Sequence, residues 1–178
     1  MHLLTVLEAI MKDMTPKLYH FTTEDNLLKI LATDSLIASE PDTNYLELDK
    51  RLKQSKKQRA ISLTRDKALD PSGLNIGNPE DIGSADYDPN ENAKRINVVI
   101  VLNANRLKQR YKIEPFNYDA LDKFHGIPVT KNKESEERVM TDKIPNLHRY
   151  ILNIEYRGNN PETREEIDRY EELIKRTR

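Results

Sequence analysis

The sequence predicts an α+β fold with a mainly antiparallel core, and three observations carry that reading. Helical periodicity is concentrated early and late in the chain. Extended patterns cluster in the middle, and the connections between them lack the regular intervening helices of a doubly wound sheet. A length of 178 residues fits a single domain. The expected division is a helix over 1–15, a core over 17–156 that carries a loop at 66–95, and a C-terminal helix over 160–178.

Leu3, Leu7, Ile10, Met11 and Met14 recur at helical spacing, and Pro16 ends that helix because proline disfavours helical backbone in the residue before it. Lys17 to Phe21 reads as a short strand. Thr22 or Thr23 then caps a helix whose apolar side is Leu27, Leu28, Ile30 and Leu31. From 44 to about 59, Tyr45, Leu48 and Leu52 make a narrow stripe, while Lys50, Arg51, Lys53, Lys56, Lys57 and Arg59 form a dense basic patch. Ala60 to Arg65 alternates apolar and polar side chains, the pattern of a half-buried strand with Ser62 and Thr64 on one face. Residues 66–95 combine several Pro and Gly with many Asp and Asn, which reads as a loop.

Ile96 to Leu102 is the most apolar run and reads as a central strand, after which Asn103 opens a short helix to about Arg110. Tyr111 to Pro115 is a short strand or edge. Glu134 to Met140 enters a strand or its preceding turn, and Tyr150 to Tyr156 alternates as the last strand. Asn160 and Pro161 supply a cap and a first-turn proline for a charged helix with Ile167, Tyr170 and Ile174 on one side.

Composition narrows the chemistry. Hydrophobic residues make up 37% and charged residues 33%, so the chain is hydrophilic yet carries enough Leu, Ile and Val to fold. Lys+Arg 29 against Asp+Glu 30 leaves a formal charge of -1, so any attraction to nucleic acid or an anionic surface is local. The absence of cysteine excludes disulfides, thiolate nucleophiles and Cys-ligated metals. The first residues lack the basic flank and cleavage site of a signal peptide. No apolar run reaches the roughly 20 residues that span a bilayer. The expected setting is the cytoplasm, with no membrane partner.

Two constellations bear on function. In Tyr19-His20-Phe21-Thr22, imidazole and hydroxyl both donate and accept hydrogen bonds, which suits a polyhydroxylated ligand. The plain alternative is a half-buried histidine satisfied by backbone, with Ser62 and Thr64 as ordinary strand hydroxyls and Arg65 as a surface cation. The second constellation is Glu134, Glu136, Glu137 and Arg138 ahead of Val139 and Met140. At strand periodicity Glu134, Glu136 and Arg138 share one face and Glu137 takes the other, so one carboxylate faces a cleft unless the run is a solvated turn. No metal site is expected: His2, His20, His125 and His148 are scattered and no cysteine supports them. No Gly-rich phosphate loop, serine elbow or kinase-type lysine motif is present.

Taken in order, Leu18-Tyr19-His20-Phe21-Thr22 with Asn26 to Leu31, then Ile61-Ser62-Leu63-Thr64-Arg65, then Glu134-Ser135-Glu136-Glu137-Arg138 resembles the three-part signature of the ADP-ribosyltransferase superfamily. It is similar in particular to phage and toxin members, including relatives of DNA-targeting toxins, over residues 18 to about 156. The resemblance implies a split pair of antiparallel sheets with peripheral helices and NAD, as substrate, in the cleft between them. By it, His20 and Thr22, with Tyr19 and Phe21 beside them, hold ribose. Ser62 and Thr64 shape the nicotinamide pocket, and a late glutamate is catalytic. Glu136 is the first choice for that carboxylate, through its Glu-x-Glu spacing with Glu134, and Glu137 the reserve. On charge grounds, a cation has to offset the pyrophosphate in an acidic cleft, and Arg65 or Arg138 is the candidate. The chain departs from the family in pairing a first-motif histidine with a Ser-x-Thr second motif.

These residue types suit the reaction. Breaking the nicotinamide–ribose bond builds positive charge on the sugar, as in glycoside cleavage, but nicotinamide leaves as a neutral molecule, so one carboxylate suffices without a general acid. The implied activity is mono-ADP-ribosyl transfer to a nucleic-acid or protein acceptor, in the host cytoplasm if the protein is phage-encoded. The alternatives are an NAD glycohydrolase, a nucleotide- or partner-binding module of the same fold, and an interaction protein that uses the basic segment and the terminal helix.

Overall fold

The computed structural model describes residues 16–38, 60–65, 67, 95–115 and 136–177. The expected helix over 1–15, the basic segment over 44–59, Glu134, Ser135 and the loop at 66–95, apart from its residues 67 and 95, lie outside the described residues. The described elements run in the order β1 (Lys17–Thr22), α1 (Glu24–Thr33), β2 (Ser35–Ile37), β3 (Ile61–Thr64), β4 (Val98–Asn103), α2 (Ala104–Lys108), β5 (Ile113–Pro115) and β6 (Glu136–Val139). They continue through β7 (Lys143–Pro145), a 3₁₀ turn at Leu147–Arg149, β8 (Ile151–Tyr156) and α3 (Pro161–Arg176).

The strands form a six-stranded sheet in the order β5-β6-β3-β1-β4-β8 and a two-stranded sheet of β2 and β7. Every described pairing is antiparallel, in agreement with the α+β expectation. Alternation decides which face of the large sheet is buried. Leu18, Ile61, Leu63, Val98, Ile100, Leu102 and Val139 point to one face, here called inner. There they meet Leu27, Ile30 and Leu31 of α1, Leu36 of β2, Ile144 of β7, and Ile167, Tyr170 and Ile174 of α3 in a single cluster. The opposite, outer face carries a smaller cluster of Phe21, Ile96 and Val99 with Tyr19 packed against it.

Local chemistry sets the helix ends. Thr23, the second of the two expected caps, accepts from the Asn26 N–H at 3.4 Å, and Glu24 and Asp25 complement the positive end of α1. Asp34 stops α1 in a left-handed conformation (φ 45°) that asparagine and aspartate tolerate better than most residues. Asn103 caps α2 through the Arg106 N–H at 3.0 Å, and Asn160 caps α3 through the Glu162 N–H at 3.1 Å. Two strands were not foreseen. β2 and β7 are three residues each, too short to show a period, and their pairing joins Leu36 to Ile144 across most of the chain.

Candidate functional site

Register places the expected site residues. Tyr19 lies opposite Thr64, and Thr64 opposite Glu136, so these three make one row across β1, β3 and β6. One residue along, antiparallel pairing sets His20 beside Leu63, and Leu63 is opposite Glu137. Directly opposed residues share a face and neighbours alternate. The sheet therefore divides the ten residues between its two sides. His20, Thr22, Arg65 and Glu137 belong to the inner face, and Tyr19, Phe21, Ser62, Thr64, Glu136 and Arg138 to the outer one. By this register Glu137, the reserve carboxylate, lies on the side of His20 and Thr22, while Ser62, Thr64 and Glu136 lie on the other side.

On the inner face, His20 and Glu137 flank the buried side chain of Leu63. Two strand spacings separate their backbones, roughly 10 Å. The His20 ring is half-buried, and its Nδ1 lies 3.4 Å from the Ser62 carbonyl oxygen. Burial pushes the imidazole pKa below its ordinary value, against a smaller opposing effect of that backbone bond, so the ring is held neutral. A carbonyl can only accept, so Nδ1 carries the proton and donates, which leaves Nε2 as a bare acceptor for a hydroxyl.

Glu137 is 7% exposed on a sheet face that is otherwise largely apolar, and Arg65 is its ion-pair partner through Nε. A buried carboxylate is costly unless paired, and an apolar side chain would pack more favourably there. The Arg65 side chain remains 46% exposed, so the Glu137 end of the row reaches solvent. Thr22, at the far end of β1, is buried.

The outer group has its own partners. Ser62 Oγ donates to Glu136 Oε1 at 2.6 Å, and Arg138 Nε reaches the same oxygen at 3.3 Å. Tyr19 and Phe21 contribute to the outer apolar cluster. Glu136 and Arg138 do share a face, as strand periodicity predicts, but that face is turned away from the imidazole.

Two residues not singled out from the sequence support the inner row. One Glu24 carboxylate oxygen accepts from Thr163 Oγ1 at 2.5 Å and Asn160 Nδ2 at 2.7 Å, and the other from the Tyr156 hydroxyl at 2.7 Å. The Thr163 and Tyr156 bonds, foremost, hold its pKa below the usual glutamate value. Asp34, at the other end of α1, accepts from the His148 backbone N–H at 2.9 Å, lies 2.6 Å from His148 Nδ1, and bonds the Tyr170 hydroxyl. Burial, then Asp34, pushes the Tyr170 phenol far up. The helix that follows His20 and Thr22 is thus pinned at both ends to β8, the 3₁₀ turn and α3. From sequence, Glu24 reads only as a first-turn acid; the donors it meets are more than seventy residues away.

Among the described residues no group of three or more His, Asp or Glu side chains gathers as a metal site, and no helix is long and apolar enough to cross a membrane.

No family model matches the sequence, and no curated protein matches it. One solved structure is similar, Thermus sp. 2.9 DarT in complex with ADP-ribosylated ssDNA, at 14% identity over 92% of this chain and 91% of that chain, with a TM-score of 0.47.

Proposed function

We propose that the inner face of the sheet binds NAD and that the protein transfers its ADP-ribose to a macromolecular acceptor, nucleic acid or protein. The observation that supports this reading is the row His20–Leu63–Glu137 with Arg65 beside it: a neutral imidazole and a carboxylate on one sheet face, with one strand between them and a cation next to the acid. The three sequence segments that resemble the ADP-ribosyltransferase signature supply those residues.

NAD brings a glycosidic bond whose electron pair leaves with nicotinamide. The chain's residues orient the sugar and meet the charge that develops on it. His20 Nε2 accepts from a ribose hydroxyl, and Thr22 adds a hydroxyl on the same face. Glu137 accepts from the ribose hydroxyl next to the reacting carbon and faces the growing positive charge. The acceptor's nucleophilic oxygen or nitrogen bonds to that carbon, and its proton passes to solvent or to the Glu137 carboxylate. Arg65, now paired with Glu137, exchanges that partner for the pyrophosphate, whose oxygens suit a guanidinium fork.

The Arg65–Glu137 ion pair also favours a second reading, a module that captures the nucleotide without turning it over. The deciding experiment incubates the protein with labelled NAD and cell extract, treats parallel samples with nuclease or protease, and compares Glu137→Gln with Glu136→Gln. Label on a macromolecule that is lost in Glu137→Gln supports transfer, and free ADP-ribose alone points to hydrolysis. Binding without product supports capture, and no NAD binding overturns the reading.

A further inference from the structure

We propose that the groove between α2, the 3₁₀ turn and the end of α3 is a binding site for clustered phosphate groups, distinct from the His20–Glu137 row. Arg106, Gln109 and Arg110 of the α2 end, His148 and Arg149 of the 3₁₀ turn, and Thr177 beyond α3 line an open space of about 520 Å³. That volume lies within the range of small-ligand sites.

Three features make the groove anionophilic. Among the described residues no carboxylate lines it. Arg106, Arg110 and Arg149 form no ion pair with a described residue, whereas Arg65, Arg138 and Arg169 each have a carboxylate partner. Gathering three unpaired guanidiniums costs mutual repulsion, which a bound polyanion relieves. Finally, Arg106 Nη1 donates to the Arg149 carbonyl at 2.9 Å, so part of the cationic wall is positioned in advance. The remaining guanidinium N–H groups match phosphate oxygens two at a time, and Gln109 adds an uncharged donor.

The groove stands beyond the Lys17 end of β1, where the Ala104 N–H bonds the Pro16 carbonyl and the Asn103 N–H bonds the Tyr150 carbonyl. It flanks β4 and β8, whereas Glu137 is on β6, two strands to the other side of β1. The inference is therefore independent of NAD chemistry. A nucleic-acid strand and a free nucleoside polyphosphate present the same oxygens.

The test uses the full chain without NAD and measures binding of a fluorescein-labelled 12-nucleotide single strand by anisotropy and of ATP by calorimetry. The expected result is binding of one or both, weakened at least tenfold in the triple variant Arg106→Gln/Arg110→Gln/Arg149→Gln. For the strand, the slope of log K against log salt should flatten by about 2, as loss of three phosphate contacts requires. Strand binding that ATP competes poorly at equal phosphate concentration identifies the strand as the source; the reverse identifies the free nucleotide. If the triple variant fails to fold by circular dichroism, Arg110→Gln and Arg149→Gln singly carry the test, each with a loss of several-fold. No binding of either probe, undiminished binding in the folded variants, or equal binding of poly-glutamate of matched charge overturns the proposal.

Discussion

His20 is a neutral acceptor because charging it inside the sheet is expensive, and this gives the residue a pH signature. Its folded-state pKa is lowered, so on acidification the unfolded chain takes the proton first. Its contribution to stability is complete above about pH 6.5 and is lost as pH falls from there through the folded value. NAD binding that needs a bare Nε2 should follow the folded value, so the acid limb of a binding-versus-pH titration is expected below the ordinary imidazole range. A limb at or above that range would remove His20 from the site. For the two glutamates, loss of one preorganised carboxylate typically costs about 100- to 1,000-fold in rate. Glu137→Gln should show that loss in product formation, while Glu136→Gln, on the outer face with Ser62 and Arg138, should change it less than about tenfold. Strand alternation already assigned the two carboxylates to opposite faces; which face held the imidazole was not legible, because the pairing of β3 with β1 and β6 is a long-range fact.

At the level of elements, α1 is held by its ends. Replacing Glu24 by Gln leaves one acceptor oxygen for several donors, including the fully buried Thr163 hydroxyl, and is expected to cost about 1–3 kcal/mol in chemical denaturation. The Glu24 pKa is lowered, so its contribution is present above the ordinary glutamate value and disappears as pH falls through the folded one. Wild type should therefore lose more stability on acidification than Glu24→Gln. Gly158 belongs to the same junction. A Cβ there would fall 2.2 Å from the Tyr156 hydroxyl, which is tied to Glu24, so it cannot be accommodated with that ring in place. Gly158→Ala should destabilise on its own, and the double variant with Glu24→Gln should cost less than the sum, because both disrupt one cluster. Strict additivity would mean that the two act separately. The caps at Asn103 and Asn160 were legible because a cap acts within three residues; the Glu24 and Asp34 hubs were not, because their donors come from distant segments.

Across the whole molecule, the inner face of the large sheet, α1, α3 and the two-stranded sheet meet in one apolar cluster. Ile144 and Leu102 are both fully buried, one in each sheet. Truncating either to Ala should cost about 2–5 kcal/mol, and thus lower the melting temperature by about 5–15 °C. Each variant is expected to melt in a single transition, the same by circular dichroism and tyrosine fluorescence. A separate early transition in Ile144→Ala would show that β2 and β7 unfold apart from the main core. A net charge of -1 also gives the molecule no overall attraction for polyanions, so the arginine groove must act locally and its binding should weaken steeply with salt.

Periodicity, caps and composition were enough to determine most of the described elements, β2 and β7 apart, together with the antiparallel α+β class and the short list of chemically capable residues, because each is a property of a few neighbouring side chains. The tertiary structure alone decided which of those residues stand together. Strand order and register bring His20 to Glu137 across Leu63 and turn Ser62 and Glu136 away, and one step of register exchanges every side chain between faces. It also decided that Arg106, Arg110 and Arg149 share a groove, since the chain joins them only through the closing of β4 on β8. Contacts between segments a hundred residues apart are settled by the burial of the whole core, a quantity no local window contains.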